Sequence, residues 1–144
     1  MSKLWSVLFT AAPLLIGCRN TTGGATPLAE VVVGTIDAGG TLDAVLDGPA
    51  NGSAGQRLQF TVSTFGNSCV AAAGAQVVVG GLQATVTPYD QEYRDRICLD
   101  YLKAYPRSIT VVFDRAGDAT IRVQGRSLYQ AGLVTVEHHL TVVP

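Results

Sequence analysis

Residues 56–65 read QRLQFTVSTF, and this stretch decides the fold class of the chain. Within it, Leu58, Phe60 and Val62 alternate with polar residues. Because successive side chains of a β-strand point to opposite faces, the alternation predicts a half-buried strand with one apolar face. It is the clearest predicted strand of the sequence.

Six further stretches have the same two-residue period or a short apolar run bounded by turn-forming residues. They are residues 31–36, 41–46, 76–86, 108–114, 119–126 and 133–143. The segment 37–40 (DAGG) predicts a hairpin between the first two, and 114–118 predicts another hairpin turn. A kink or bulge is expected at Gly80-Gly81. Residues 48–55 form a long turn-rich stretch, open to interpretation as a binding loop or as a plain connection.

About seven strands at a spacing of about ten residues are typical of a two-sheet antiparallel β-sandwich of the immunoglobulin-like kind. A barrel is the alternative. The buried Trp of an antibody-type domain is absent, since the single Trp of the chain is Trp5. We therefore expect an all-β sandwich, immunoglobulin-like in architecture, with one short helical or irregular crossover.

The expected crossover is the segment 90–103, in which half of the residues are charged. Residues 87–90 (TPYD) resemble a helix start, with Thr as the cap and Pro at the first helical position. A short helix would pack through Tyr93, Ile97 and Tyr101 and end before Pro106.

Two interpretations of this crossover stay open. Tyr and Arg are enriched at binding hot spots, so Tyr93, Arg94, Arg96 and Tyr101 form a candidate binding surface. Alternatively, the segment only caps one end of the core, because aromatic residues at helical spacing usually serve packing.

Cys69 and Cys98 are expected to form a disulfide in an oxidising compartment. In the chain-entropy model the bond would stabilise the fold by about 3 to 4 kcal/mol. Reactive or metal-binding thiols are the alternative, but neither cysteine has a second Cys or a His near it in the sequence.

Histidine chemistry is sparse. His138 and His139 are adjacent on a predicted strand, so they point to opposite faces and cannot bind one metal ion together. His138 shares the register of the apolar core positions, whereas His139 would face solvent. No nucleophile elbow, phosphate-binding loop or zinc motif occurs, so we predict no catalytic residue, no metal site and no cofactor. A hydrolase that pairs one of these histidines with a serine remains the alternative.

The chain has 144 residues and a formal net charge of −1 at pH 7. This length suffices for one domain with its own core. The charge is balanced and no basic patch occurs, which argues against a nucleic-acid partner.

The N-terminus has the plan of a secretory signal peptide, with Lys3 followed by the apolar run 4–16. The run is too short to span a bilayer. Leu15-Ile16-Gly17-Cys18 resembles the lipobox of bacterial lipoproteins. The resemblance implies that residues 1–17 are removed and that Cys18 is acylated and becomes the anchored N-terminus.

We therefore expect three regions: a signal peptide (1–17), a lipidated Cys with a flexible tether (18–29) and a β-sandwich domain (30–144). The predicted function is that of an envelope lipoprotein that acts by binding or scaffolding outside the cytoplasm. Its expected partners are the lipid membrane, through Cys18, and a protein of the envelope. An envelope hydrolase and a subunit of a larger envelope assembly are the alternatives.

Overall fold

The computed structural model describes residues 28–42 and 44–144, which form an all-β structure without a helix. The predicted signal peptide, Cys18 and nearly all of the predicted tether lie outside the described residues. The strands are β1 (Ala29–Val33), β2 (Thr35–Ile36), β3 (Leu46–Asp47), β4 (Asn51–Ser53), β5 (Leu58–Gly66), β6 (Val70–Gly80), β7 (Gln83–Tyr93), β8 (Lys103–Val111), β9 (Gly117–Ser127) and β10 (Leu133–Val143).

The strands make two sheets. The larger, seven-stranded sheet has the order β1-β7-β9-β10-β4, with β6 also paired to β7 and β2 to β9. It is mixed: the long pairs β6–β7 and β9–β10 are antiparallel, while β7–β9, β2–β9 and β4–β10 are parallel. The smaller sheet is antiparallel and has the order β3-β5-β8.

The inner faces of the two sheets share one hydrophobic core. The period-two pattern explains its composition, because alternate residues of each long strand point inward. From the smaller sheet come Phe60, Val62 and Val111, and from the larger sheet Val86 and Ile121, all almost fully buried. The strand predicted at 56–65 is confirmed as β5, which is the central strand of the smaller sheet.

Several details of the predicted topology are wrong. Residues 31–36 and 41–46 do not form a hairpin, because β1 pairs with β7 and only Leu46 of the second stretch lies in a described strand. Gly80-Gly81 is not a kink within a strand but the turn between β6 and β7, where Gly81 has a φ of +61°. The bulge of this hairpin lies instead between Ala72 and Gly74.

The predicted helix start at 87–90 is also wrong, since all four residues belong to β7. Cap-like residue types give a local signal only, and here the long-range pairing of β7 with β1 and β6 prevails. The crossover 94–102 is irregular, as the alternative prediction had it. No helix in the described part of the chain has the length and apolar character needed to cross a membrane.

Gly34 is the point at which the chain changes partner from β7 to β9. Its N–H donates to the Pro88 carbonyl at 2.8 Å, and its own carbonyl accepts from the Arg126 N–H at 2.9 Å. A Cβ at this position would lie 2.4 Å from Thr64 Cγ2 and 2.9 Å from Asp90 Oδ2. Only glycine therefore fits at this position without a shift of Thr64 or Asp90.

Candidate functional site

The predicted disulfide between Cys69 and Cys98 is present, with a Cα–Cα distance of 5.3 Å and a sequence separation of 29. Cys69 is buried just before β6, whereas Cys98 lies in the irregular segment 94–102. Ser68 adds a second link to this segment, because its Oγ accepts a hydrogen bond from the Leu99 N–H at 2.7 Å. We call residues 94–102 the stapled loop.

Large apolar side chains of the stapled loop point into solvent. Ile97 is 94% exposed, Leu99 63% and Leu102 51%. The prediction that Ile97 packs against the core beside Tyr93 and Tyr101 is therefore wrong. The disulfide fastens the middle of the loop, at Cys98, to the domain, while the side chains of Ile97 and Leu99 on either side of it remain outside the core.

The predicted binding residues Tyr93, Arg94, Arg96 and Tyr101 lie at or next to this loop. The Arg96 guanidinium lies over the Tyr93 ring, 3.5 Å from its centroid, which is the geometry of a cation–π contact. Arg94 is exposed and forms an ion pair with Glu30 of β1. Tyr101 is 48% exposed.

A groove of about 350 Å³ runs along the base of the stapled loop. Tyr93, Arg94 and the disulfide line one part of it, and Glu92 and Arg126 line another. The carboxylate of Glu92 and the guanidinium of Arg126 form an ion pair, and both side chains are partly exposed. The charges of Glu92 and Arg126 in the lining thus neutralise each other.

Arg107 of β8 forms a buried polar cluster beneath the groove. Its side chain is 8% exposed, and its Nη2 lies 2.6 Å from Oδ1 of Asp90, which is 1% exposed. The same guanidinium donates to the carbonyls of Gly74 at 3.0 Å and Tyr105 at 3.1 Å. It therefore joins β6, β7 and β8, and so both sheets, through one side chain.

Thr64 of β5 completes this cluster, because its hydroxyl donates to Asp90 Oδ1 at 2.8 Å. Asp90 Oδ2 and Arg107 Nε are buried and have no hydrogen-bond partner. Sequence reasoning missed the cluster, because it placed Asp90 in the first turn of a short helix. The available signal was the period of β7, in which position 90 shares the inner face with Ala84 and Val86.

Tyr105 connects the cluster to the loop that precedes β6. Its hydroxyl donates to the Asn67 carbonyl at 2.6 Å. Burial raises the pKa of Tyr105, and the nearby Tyr101 and Asp90 raise this pKa further. The phenol therefore stays protonated and remains a hydrogen-bond donor at neutral pH.

The histidines lie on opposite sides of β10, as predicted. His138 is half-buried, with its ring edge-to-face against Phe60 at a centroid distance of 5.7 Å. His139 is exposed; its Nδ1 lies 3.2 Å from Thr120 Oγ1 and its Nε2 lies 3.9 Å from Glu137. None of these contacts joins a serine to a histidine.

Within residues 28–42 and 44–144, no group of three or more His, Cys, Asp and Glu side chains is arranged to hold a metal ion. The described chain is thus defined by two β-sheets around one core, a disulfide and an exposed stapled loop. Comparison with family models, with curated proteins and with solved structures finds no match to it.

Proposed function

We propose that this protein is a lipid-anchored module of a bacterial cell envelope, which faces away from the cytoplasm and acts by binding or scaffolding. In this proposal, acylated Cys18 is the anchor and residues 30–144 form an immunoglobulin-like β-sandwich. The observation that carries the proposal is the lipobox-like sequence at 15–18, placed directly after a signal-peptide pattern.

The disulfide supports the compartment that this proposal assigns. Structural disulfides persist in oxidising compartments such as the periplasm and the cell surface, and they are rare in reducing cytosol. The geometry of Cys69 and Cys98 suits a structural bond, with a Cα–Cα distance of 5.3 Å that lies in the ordinary range. Export of the chain would allow this bond to form.

The surface that we assign to binding contains Tyr93, Arg94, Arg96 and Tyr101. Its support is the exposed, mixed aromatic and cationic character of the stapled loop. Aromatic and Arg side chains are the residue types that most often dominate binding energy at interfaces.

Mass spectrometry of the protein purified from membranes of the producing bacterium tests the anchor. We expect Cys18 to be the N-terminal residue and to carry a diacylglyceryl group. The control is Cys18→Ser, which should lack the lipid mass. This variant should either be cleaved by an ordinary signal peptidase and leave the membrane fraction, or keep residues 1–17 uncleaved. Wild-type protein with Met1 still attached and an unmodified Cys18 would refute the proposal.

A second candidate function is that of a subunit whose sheet edge is completed by another chain. Strand β6 favours it, because its eleven residues contain no charged side chain and it pairs with only β7 among the described strands. Long uncharged edges are templates for strand addition. A Lys in place of Val78, which is 58% exposed, should abolish such pairing. Size-exclusion chromatography that finds wild-type protein and Val78→Lys equally monomeric would count against this function.

A further inference from the structure

We infer that the stapled loop, residues 94–102, together with the adjoining Lys103, inserts its exposed apolar side chains into the surface of the membrane that holds Cys18. This inference rests on the proposed lipid anchor and names the partner of the proposed binding surface. A protein bound at the same loop is the competing outcome.

The apolar side chains of the loop have the exposure that such a contact requires. Ile97, Leu99, Tyr101 and Leu102 are each about half exposed or more. Soluble proteins seldom present several large apolar residues together on one short loop unless that loop binds something. Transfer of these side chains from water to the acyl boundary is favourable.

The polar residues of the loop suit a headgroup layer. Arg94, Arg96 and Lys103 alternate with Asp95 and Asp100, so the loop is close to neutral. Long cationic side chains and tyrosines are preferred at the level of lipid headgroups, because each of these side chains has an apolar body and a polar end. Because the net charge is small, apolar contacts would supply most of the binding, and we expect a weak dependence on salt.

The position of the N-terminal segment connects the loop to the anchor. Ala29 pairs with Tyr93, and the Leu28 carbonyl accepts a hydrogen bond from the Arg94 N–H at 3.2 Å. The described chain therefore begins at the base of the stapled loop. The ten residues from Cys18 to Leu28 can extend at most about 33 to 36 Å. Leu28, through which the proposed tether would join the domain, thus lies beside the stapled loop.

The disulfide favours insertion because it fixes the loop before the loop meets the membrane. Cys98 is joined to the buried Cys69, and Leu99 is held by Ser68. A loop that is already ordered loses less conformational entropy on binding than a free loop does.

Single-tryptophan variants of the full chain test this inference. Trp5 is replaced by Phe in every variant, so that the reporter is the only Trp whether or not the leader is removed. The test variant is Ile97→Trp. The matched control is Val112→Trp, at an exposed position just after β8 and at the opposite end of that strand from the stapled loop. Both proteins are placed in vesicles of phosphatidylethanolamine and phosphatidylglycerol, with or without brominated acyl chains.

We expect the brominated lipids to quench the Ile97→Trp emission by about half or more and to shift it to shorter wavelength. The Val112→Trp emission should be unchanged. Equal emission of Ile97→Trp with and without brominated lipid would overturn the inference. A change in this emission that occurs only after a protein partner is added would also overturn it.

The same measurement separates this inference from the proposed anchor. If mass spectrometry finds Cys18 without lipid, the proposed function fails, and quenching of Ile97→Trp by added vesicles still decides whether the loop enters lipid. If Cys18 is acylated and Ile97→Trp is not quenched, the anchor stands and the inference about the loop is wrong. A further Leu99→Glu substitution should abolish the quenching if insertion is apolar, and unchanged quenching would contradict the inference.

Discussion

Asp90 of the larger sheet and Arg107 of the smaller sheet form a buried ion pair. Both side chains are almost fully buried, and the Arg107 guanidinium also donates hydrogen bonds to backbone carbonyls of β6 and β8. Removal of one partner of a buried pair leaves an uncompensated charge, which costs about 3 to 5 kcal/mol. We therefore expect Arg107→Met to lower the free energy of unfolding by about this amount, as measured by urea denaturation.

The double variant Asp90→Leu/Arg107→Met tests the reason for this loss. It removes both charges and fills the space with apolar groups, which is often neutral for stability. We expect it to regain most of what Arg107→Met loses. If the double variant is as unstable as the single one, the backbone carbonyls, rather than the carboxylate, are what make Arg107 necessary.

Asp37 stabilises the turn after β2 through its ionised form. Its Oδ1 accepts from the Gly39 N–H at 2.9 Å, and its Oδ2 accepts from the Leu42 N–H at 2.7 Å and the Thr41 hydroxyl at 3.1 Å. Burial raises the pKa of this carboxyl, but these hydrogen bonds outweigh burial and bring the pKa below its ordinary value of 3.8.

The stabilisation from Asp37 should therefore depend on pH. Because the folded pKa is lowered, the contribution is present above the unfolded pKa of 3.8 and disappears as the pH falls through the folded value. We expect Asp37→Asn to be less stable than wild type at pH 7 and to approach it at low pH in urea titrations. Asp114→Asn removes an exposed carboxylate and corrects for the change in net charge. A deficit of Asp37→Asn that is equal at both pH values would contradict this assignment.

Among the elements, some strands were predictable and their partners were not. The two-residue period that identified β5 also identified all of β10 and most of β9, because half-burial imposes that period on any strand. Of β7 and β8 it identified only residues 83–86 and 108–111. Pairing depends on which strands meet across the sheet. Nothing local in residues 31–36 shows that β1 pairs with Tyr89–Tyr93 rather than with its neighbour in sequence.

The segment 87–93 shows how a local signal fails. Its Thr, Pro and Asp match a helix cap, yet Asp90 is buried because Arg107, which is 17 residues away, supplies its counter-charge. The disulfide was predictable, since Cys69 and Cys98 are the only two cysteines in the sequence of the predicted domain, residues 30–144. The exposure of Ile97 was not predictable, because sequence spacing does not show whether a side chain has a core to pack against.

At the same scale, Gly34 decides whether β1 and β2 can join their two partner strands. A Cβ there would collide with Thr64 and Asp90, both of which are buried. Overpacking of this kind costs about 1 to 3 kcal/mol. We expect Gly34→Ala to lower the urea midpoint accordingly, whereas Gly80→Ala, with no atom within 4 Å of the new Cβ, serves as a matched control. Equal midpoints for the two variants would show that β1 and β2 can shift at no cost.

On the scale of the whole molecule, the core requires strands β1 and β2. Their partner strands, β7 and β9, lie far from them in the sequence. Ile36 is fully buried against residues of both sheets, and β1 covers the end of β7 that β9 does not reach. Long-range pairs of this kind make a β-fold cooperative, so the loss of one strand affects the whole core. The first described strand, β1, begins at Ala29, and the domain boundary at residue 30 stays a prediction.

Two truncations measure this dependence. We expect a chain of residues 28–144 to unfold in one cooperative transition, because it retains every described strand and the disulfide. A chain of residues 37–144 lacks β1, β2 and the buried Ile36, so β7 and β9 lose partners and a cavity opens in the core. Loss of a buried Ile side chain alone costs about 2 to 5 kcal/mol. Far-UV circular dichroism in urea should therefore show a much lower midpoint, or no transition, for the shorter chain. If both chains unfold at the same urea concentration, β1 and β2 are dispensable and the domain begins after residue 36.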